Sequence, residues 1–193
     1  MDTSIAPPNL PAPRNESELV QQVGEWADRN FKDNRAPDYG IVEEVGEAVH
    51  CVLKKFQGIR GFEDHAFFLE KFGDCLADAM IYLADWSYLH NAIFRFGRNQ
   101  HQLGNMTMDD ERRIILHMLQ GSASMLSFGP IYRAGTKIEA AEEGVYNMLA
   151  QRICTGVEYW ANLYQIDIRW LVTATWQKVR QRDWVKNPAT AGN

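Results

Sequence analysis

Two short groups of acidic residues in this sequence could bind a divalent cation. The first is Glu43-Glu44-Val45-Gly46-Glu47, and the second consists of Asp74 and Asp78. Residues three or four positions apart share one face of a helix, so each group would present its carboxylates to the same side. Carboxylate oxygens are the ligands that Mg²⁺ and Mn²⁺ prefer. The spacing therefore favours a metal site, although a cluster of this kind can also be an ordinary solvated helix face.

The chain between the two groups is short enough to bring them together. A turn centred near Gly61 interrupts the helical pattern, and helices joined by a short turn pack as antiparallel neighbours. Counting outward equally from Gly61 puts Glu47 level with Cys75, and Glu44 level with Asp78. Ionised carboxylates that converge in an apolar bundle repel one another, and bound cations would relieve that repulsion.

The apolar pattern along the chain predicts an all-α helical bundle of about five to six helices, with no sheet. The predicted helices cover about 15–31, 38–56, 64 into the 94–96 region, 109–128, 138–163 and 167–182. Asp167 is the expected N-cap of the last helix. The third is apolar from Leu76 to Leu89, which places it at the centre of the core, and we expect Trp26 and Phe31 in that core as well.

The two ends of the chain differ from the helical part. Residues 1–14 contain four prolines and are expected to form an extended arm, either free or laid across a partner subunit. Residues 15–186 are expected to form a single all-α catalytic domain. Residues 187–193 follow Asn187-Pro188 as a loose tail.

Composition narrows the class of protein. The net charge of −5 argues against a protein that binds nucleic acid, which usually carries a basic excess. The three cysteines contain no C-x-x-C pair, so we expect neither a disulfide framework nor a zinc knuckle, and a reducing cytoplasmic setting. No signal peptide is recognisable, and no apolar run is long enough to span a membrane. The sequence also contains no glycine-rich phosphate-binding loop and no recognisable nucleophile motif.

Three segments together resemble a known family. Glu43–Glu47 has the form E-E-x-x-E, the stretch Leu76–Ala84 has an aspartate before an I-Y-L run, and the stretch Trp176–Trp184 ends in R-D-W. In this order they are similar to motifs of the MazG-like, all-α nucleoside triphosphate pyrophosphohydrolases of phages and bacteria. The resemblance covers about half of the chain. Residues 87–158 look like an insertion relative to the smallest family members.

The second motif departs from the family pattern, which is E-x-x-D. In the register set by Asp78, the glutamate position holds Cys75, and Asp74 could serve instead. In the register set by Asp74, that position holds Lys71, with Glu70 beside it. We favour the first register because Asp78 precedes the I-Y-L run.

The resemblance implies a reaction and a set of roles. Such enzymes hydrolyse nucleoside triphosphates between the α and β phosphates, with two or more Mg²⁺ or Mn²⁺ ions. The implied metal ligands are Glu44, Glu47, Asp74 and Asp78. Glu43 would orient or deprotonate the attacking water, or serve as a further ligand. Lys54, Lys178 and Arg182 would bind the outer phosphates, although each could equally be a surface charge.

The resemblance also implies a setting. Family members form homo-oligomers, so a dimer or tetramer is expected, and phage-type members shape a deoxynucleotide pool in the host cytoplasm. Some act on purine triphosphates, which favours (d)GTP, then dATP, over dCTP and dUTP.

Two alternative functions stay open at the level of sequence. Glu47 and His50 form an E-x-x-H pair, two of which would indicate a di-iron carboxylate bundle, but only one occurs. The second alternative is a non-catalytic helical interaction module whose acidic residues are merely solvated. A further acidic group, Glu139, Glu142 and Glu143, is interpreted as a solvated first turn of a helix. Asp85 would support the site or lie at its edge.

Overall fold

The computed structural model describes residues 11–31, 36–97, 108–128 and 140–182. Within those ranges the chain is all-helical, as predicted, and contains six helices and no strand. They are α1 (Glu16–Phe31), α2 (Pro37–Gln57), α3 (His65–His90), α4 (Met108–Phe128), α5 (Ala140–Leu163) and α6 (Ile168–Val179). Residues 1–10 of the proposed arm, the tail 187–193 and Glu139 lie outside the described residues.

Helices α2 and α3 form the hairpin that carries both acidic groups. Gly58 closes α2 in the left-handed conformation, with φ of 60°, and its N–H bonds to the carbonyls of Lys54 and Lys55. Asp64 caps α3 by accepting hydrogen bonds from the backbone N–H groups of Ala66 and Phe67. The backbone groups at both helix ends are therefore satisfied within the turn. Because this turn is short, the two helices pack as antiparallel neighbours, and their carboxylates lie on one side of the hairpin.

Helix α3 is the centre of the bundle, as its apolar stretch predicted. It packs against α1, α2, α5 and α6, and more than half of its residues are buried. The largest fully buried side chains come from α3 and the helices around it and include Trp86, Trp160, Trp176, Phe68 and Phe72. Helices α4 and α5 pack on each other and cover α2 and α3 respectively, so the described residues between 87 and 158 contribute to this core.

The prediction that the third helix continues into the 94–96 region was wrong. Asn91 takes the left-handed conformation, with φ of 48°, and ends α3 at His90. Phe94 and Phe96 are buried all the same. The segment after α3 is held to α5 by side chains, because Asn147 Oδ1 accepts from the Ile93 N–H at 2.6 Å and Glu158 from the Gly97 N–H at 2.7 Å.

The last helix begins where the sequence predicted and ends earlier. Asp167 is its N-cap and accepts a hydrogen bond from the Trp170 N–H at 3.1 Å. The regular helix ends at Val179, and a turn that includes a 2.9 Å bond from the Arg182 N–H to the Val179 carbonyl extends the chain to Arg182. The fifth helix is described from Ala140 rather than from residue 138, and Glu143 in its first turn is exposed, as expected.

Candidate active site

An open pocket of about 850 Å³ lies along the seam between α2 and α3. This volume is within the usual range for small-molecule sites, roughly 300–1,000 Å³. Acidic, thiol and aromatic side chains line it together. The lining residues are Val42, Glu43, Glu44, Gly46, Glu47, His50, Cys51, Phe62, Phe67, Lys71, Asp74, Cys75 and Asp78. Both acidic groups that the sequence singled out therefore face the same space.

The register counted from Gly61 agrees with the side-chain positions in the pocket. The carboxylates of Glu44 and Glu47 and the sulfur of Cys75 each offer a donor atom, and these atoms lie within 4.8 Å of one another. Asp78 is among the charges that act on Glu44. Asp74 lies on the exposed side of α3, beside Lys71. The structure thus brings all four expected ligands to one pocket. Cys75, which the sequence did not assign as a ligand, forms with Glu44 and Glu47 a compact group of possible donor atoms.

The electrostatics of the pocket show an excess of negative charge. Burial, and then the neighbouring carboxylates of Asp78 and Glu47, raise the pKa of Glu44 to about 8. Burial and the charge of Asp74 raise the pKa of Asp78 to about 6. Burial also raises the pKa of Asp74. Ionising these groups together is costly, and a divalent cation between them would offset that cost.

Positive charges reach the pocket from α3 and from the end of α6. Arg182 and Lys178 both lower the pKa of Asp78, against the larger effect of its burial. The charge of Lys178 also acts to lower the pKa of Asp74. Lys71 lines the pocket, whereas Lys54 is not among the lining residues that the structure describes. Two of the three cations expected to bind phosphate therefore lie on the acidic side of the molecule, with Lys71 as an addition.

Sequence reasoning did not assign several of the pocket residues. Lys71 stands three positions before Asp74, so helical spacing alone could have placed it on the same face. Phe62 and Phe67 meet edge to face, with ring centroids 5.2 Å apart. They come from the turn and from the start of α3, and no spacing rule relates a turn residue to a pocket. His50 follows Glu47 and also lines the pocket.

Two thiols lie together at the inner side of the pocket. Cys51 of α2 and Cys75 of α3 are both buried, and both line the pocket. The interaction between the two thiols lowers the pKa of Cys51 and, together with burial, raises the pKa of Cys75. Cys154 is buried elsewhere, where its thiol donates to the Arg95 carbonyl at 3.0 Å.

Tyr82 of α3 is a half-buried residue on which the acidic side chains of the pocket act. Burial, and then the charge of Glu44, raise the pKa of Tyr82 to about 12. Its ring packs tightly over Gly40, where a methyl group would come within 2.5 Å of the ring. Asp85, one of the weaker charges acting on Tyr82, is buried in α3 and is not among the described lining residues. It therefore lies beyond the pocket rather than in it.

The donor set fits a divalent cation, with one exception. The oxygens of Glu44, Glu47, Asp74 and Asp78 suit Mg²⁺ or Mn²⁺. The sulfur of Cys75 does not suit Mg²⁺, because soft thiolate ligands favour zinc and similar ions.

Comparison of the chain with protein-family models, with curated proteins and with solved structures finds no match. None of the helices in the described ranges combines the length and apolar composition needed to cross a bilayer.

Proposed function

We propose that this chain hydrolyses nucleoside triphosphates to the monophosphate and pyrophosphate, with divalent cations bound in the acidic pocket. The observation that carries the proposal is the convergence of Glu44, Glu47 and Asp78 in one open pocket. A cluster of acids on a merely solvated face would not raise the pKa of Glu44 to about 8 through burial. The resemblance of the three sequence segments supplies the reaction class.

Each group in the pocket has a role in this proposal. The carboxylates of Glu44, Glu47, Asp74 and Asp78 bind the cations. When bound, Mg²⁺ or Mn²⁺ neutralises the triphosphate and lowers the pKa of water. Glu43 is exposed and lines the pocket, so it can accept a proton from water that attacks the α phosphorus. The bond from that phosphorus to the bridging oxygen breaks, and pyrophosphate leaves with the electron pair.

The outer phosphates would be bound by cations on the rim. Lys178 and Arg182 lie close enough to Asp78 to act on its pKa, so they can reach phosphates held by cations there. Lys71 offers a third positive charge inside the pocket. For Lys54, which is not among the described lining residues, phosphate binding is an expectation from the sequence alone.

The base would stack on the aromatic pair. Phe62 and Phe67 are half-buried and line the pocket, and their rings meet edge to face. Stacking on such rings depends on the size of the base, which is compatible with the purine preference and (d)GTP, followed by dATP. We further propose that the enzyme acts as a homo-oligomer in the cytoplasm and shapes the nucleotide pool.

A di-iron carboxylate protein is the second candidate, and one observation favours it: His50 lines the same pocket as Glu47. It is the single histidine among the described lining residues, whereas a di-iron bundle of this type uses a Glu-x-x-His pair from each of two helices. A non-catalytic interaction module is the third candidate.

The deciding experiment is to measure pyrophosphate and monophosphate release from each common NTP and dNTP, with Mg²⁺, with Mn²⁺ and with EDTA. Cation-dependent release of both products supports the proposal, and the fastest substrate identifies the base. Absence of release from every nucleotide, with folded protein at high concentration, would reject it. Iron-dependent colour would then favour the di-iron protein.

A further inference from the structure

Gly46 stands in the middle of α2 without the packing that explains most helical glycines of the described chain. Glycine weakens the interior of a helix relative to alanine. At other positions a neighbouring side chain explains it, because an added methyl group would come within 2.9 Å of that side chain: Gly24, Gly40, Gly73, Gly121 and Gly156. A methyl group at Gly46 would meet nothing within 4 Å. Packing within the described chain therefore gives no reason for the missing side chain.

The place of Gly46 in the pocket supplies a reason. Gly46 lines the pocket on an exposed part of α2, with Glu43 one turn before it and His50 one turn after it. Because Gly46 carries no side chain, the backbone of α2 is bare to the pocket between these two residues. Glycine is the residue that allows a ligand to approach a backbone closely. We therefore expect part of the bound ligand to lie directly on the helix at this point.

His50 offers a polar group beside that bare backbone. Its side chain is exposed and lines the pocket, and no hydrogen bond or ion pair joins it to another residue in the described part of the chain. A neutral imidazole has one nitrogen that donates a hydrogen bond and one that accepts. His50 can therefore bind a hydroxyl group of a ligand that lies on Gly46.

The chemistry of the pocket changes along its length. Residues 42–51 of α2 and 67–78 of α3 contribute to its lining, and a rise of about 1.5 Å per residue gives these stretches lengths of roughly 14 and 17 Å. Glu44 and Asp78 lie at the end away from the interhelical turn, whereas the aromatic pair lies at the turn. In a nucleoside triphosphate the pentose joins the phosphates to the base. A nucleotide with its phosphates at the carboxylate end and its base on the aromatic pair would place the pentose between them, on Gly46.

We propose that Gly46 and His50 form the sugar subsite of the pocket. The pentose of a nucleoside triphosphate lies on the bare backbone at Gly46, and its 3′-hydroxyl forms a hydrogen bond with the imidazole of His50. Since ribose and deoxyribose both carry this hydroxyl, the subsite accepts both sugars, and a side chain at position 46 would exclude either. This sugar subsite rests on the proposed hydrolase, because it binds the substrate of that reaction.

Substitution of Gly46 is the first test, and Gly144 provides the matched control. Gly144 is an exposed glycine of α5, outside the described pocket lining, where a methyl group would also meet nothing within 4 Å. Gly46→Ala and Gly144→Ala should both raise the melting temperature, by up to about 4 °C, because alanine favours the helix. Gly144→Ala should leave the KM for the nucleotide unchanged. Gly46→Leu should raise it at least about tenfold, and Gly46→Ala by a smaller factor, because the side chain takes the place of the sugar.

Inorganic triphosphate separates a sugar contact from damage to the cation site. It carries phosphates but neither sugar nor base, so with Mg²⁺ it should inhibit the wild type and Gly46→Leu with the same inhibition constant. A rise of this constant that matches the rise in KM would show that the leucine disturbs the bound cations and would overturn the subsite.

The hydroxyl contact is tested by changing the enzyme and the substrate together. Wild-type kcat/KM should fall about fivefold when the fastest deoxynucleoside triphosphate is replaced by its 2′,3′-dideoxy analogue, since one hydrogen bond is lost. His50→Ala should use both substrates equally well, at the rate of the wild type on the dideoxy analogue. Circular dichroism checks that each variant keeps its helices. A preference for the 3′-hydroxyl that survives in His50→Ala would remove His50 from the subsite.

Failure of the sugar subsite and failure of the hydrolase give different results. A wild-type protein that hydrolyses nucleotides, together with an unchanged KM in Gly46→Leu, would reject the subsite and leave the hydrolase standing. A wild-type protein that hydrolyses no nucleotide would reject both.

Discussion

The indole N–H of Trp26 donates a hydrogen bond of 3.1 Å to the backbone carbonyl of Arg182. This bond joins α1 to the turn that follows α6 and fixes the backbone of a residue whose charge acts on Asp78. The same region is tightened by Trp176, whose ring meets Trp26 edge to face and whose N–H donates to Gln22 at 2.9 Å. Two buried tryptophans therefore position the cationic side of the pocket.

Replacing Trp26 should weaken the attachment of the turn at Arg182 to α1. We expect Trp26→Phe to lower the free energy of unfolding by about 1–3 kcal/mol, because it removes the hydrogen bond to the Arg182 carbonyl and reduces the volume of a buried ring. The KM for the nucleotide should rise as Arg182 becomes less well held. Denaturant titration and steady-state kinetics measure the two effects. Trp170→Phe, at a position 67% exposed, is the control and should change neither.

The cations near the pocket should not be equivalent. Arg182→Gln and Lys178→Gln are each expected to raise the KM for the nucleoside triphosphate by about tenfold or more, since each loses a charge-assisted contact with phosphate. Lys54→Gln removes the same charge from α2, outside the described pocket lining, and should leave the KM within about twofold. An equal rise in Lys54→Gln would show that the phosphates extend along α2 instead.

Neutralising the acidic ligands should stop turnover without unfolding the protein. Glu44→Gln and Asp78→Asn each keep the side-chain shape and remove a cation ligand, so kcat should fall at least about a hundredfold. Helicity by circular dichroism should be unchanged. Glu143→Gln, on the exposed first turn of α5, is the matched control and should keep full activity. Wild-type turnover in either pocket variant would refute the assignment.

Stability should depend on pH in a direction set by Glu44. Its pKa is about 8 in the folded chain against an ordinary 4.5, so the folded state holds a proton that the unfolded state has released between these values. The free energy of unfolding should therefore fall as the pH rises through this range, with the loss complete above about 8. Asp78, with its pKa raised from 3.8 to about 6, adds to the fall at lower pH.

Thermal melts in EDTA across this range test the effect. Glu44→Gln should flatten the upper part of the decline and melt at a higher temperature than the wild type near pH 8, whereas Glu143→Gln should keep the decline. Adding Mg²⁺ or Mn²⁺ at the higher pH should restore the melting temperature, because these ions bind the carboxylates that only the folded chain brings together. A melting temperature that rises with pH in EDTA would contradict this account.

The parts of the structure that could be predicted from sequence are those set by local chemistry. Helical spacing placed Glu44, Glu47 and Asp78 on facing sides of a hairpin, because the turn at Gly61 is short and the period of a helix is fixed. Asp167 was recognised as a cap because a short acceptor before an apolar helix has few other uses. The helical class followed from the same periodicity.

The parts that could not be predicted depend on distant contacts. The apolar residues after His90 continue the pattern of α3, yet they lie along α5 because Asn91 turns the chain and Asn147 and Glu158 bind it. The presence of Cys51 and Cys75 in the same pocket depends on how two helices rotate against each other, which spacing within one helix does not report. The Trp26 bond to Arg182 joins residues at opposite ends of the chain.

The hairpin of α2 and α3 also bears on how the protein is made. The acidic side chains and both pocket thiols come from consecutive helices, and closing the short turn between them costs little chain entropy. During synthesis, this half of the pocket leaves the ribosome before α4, α5 and α6 exist. The nascent chain can thus acquire the acidic wall of the pocket first, whereas Lys178 and Arg182 are added only with α6 and the turn that follows it.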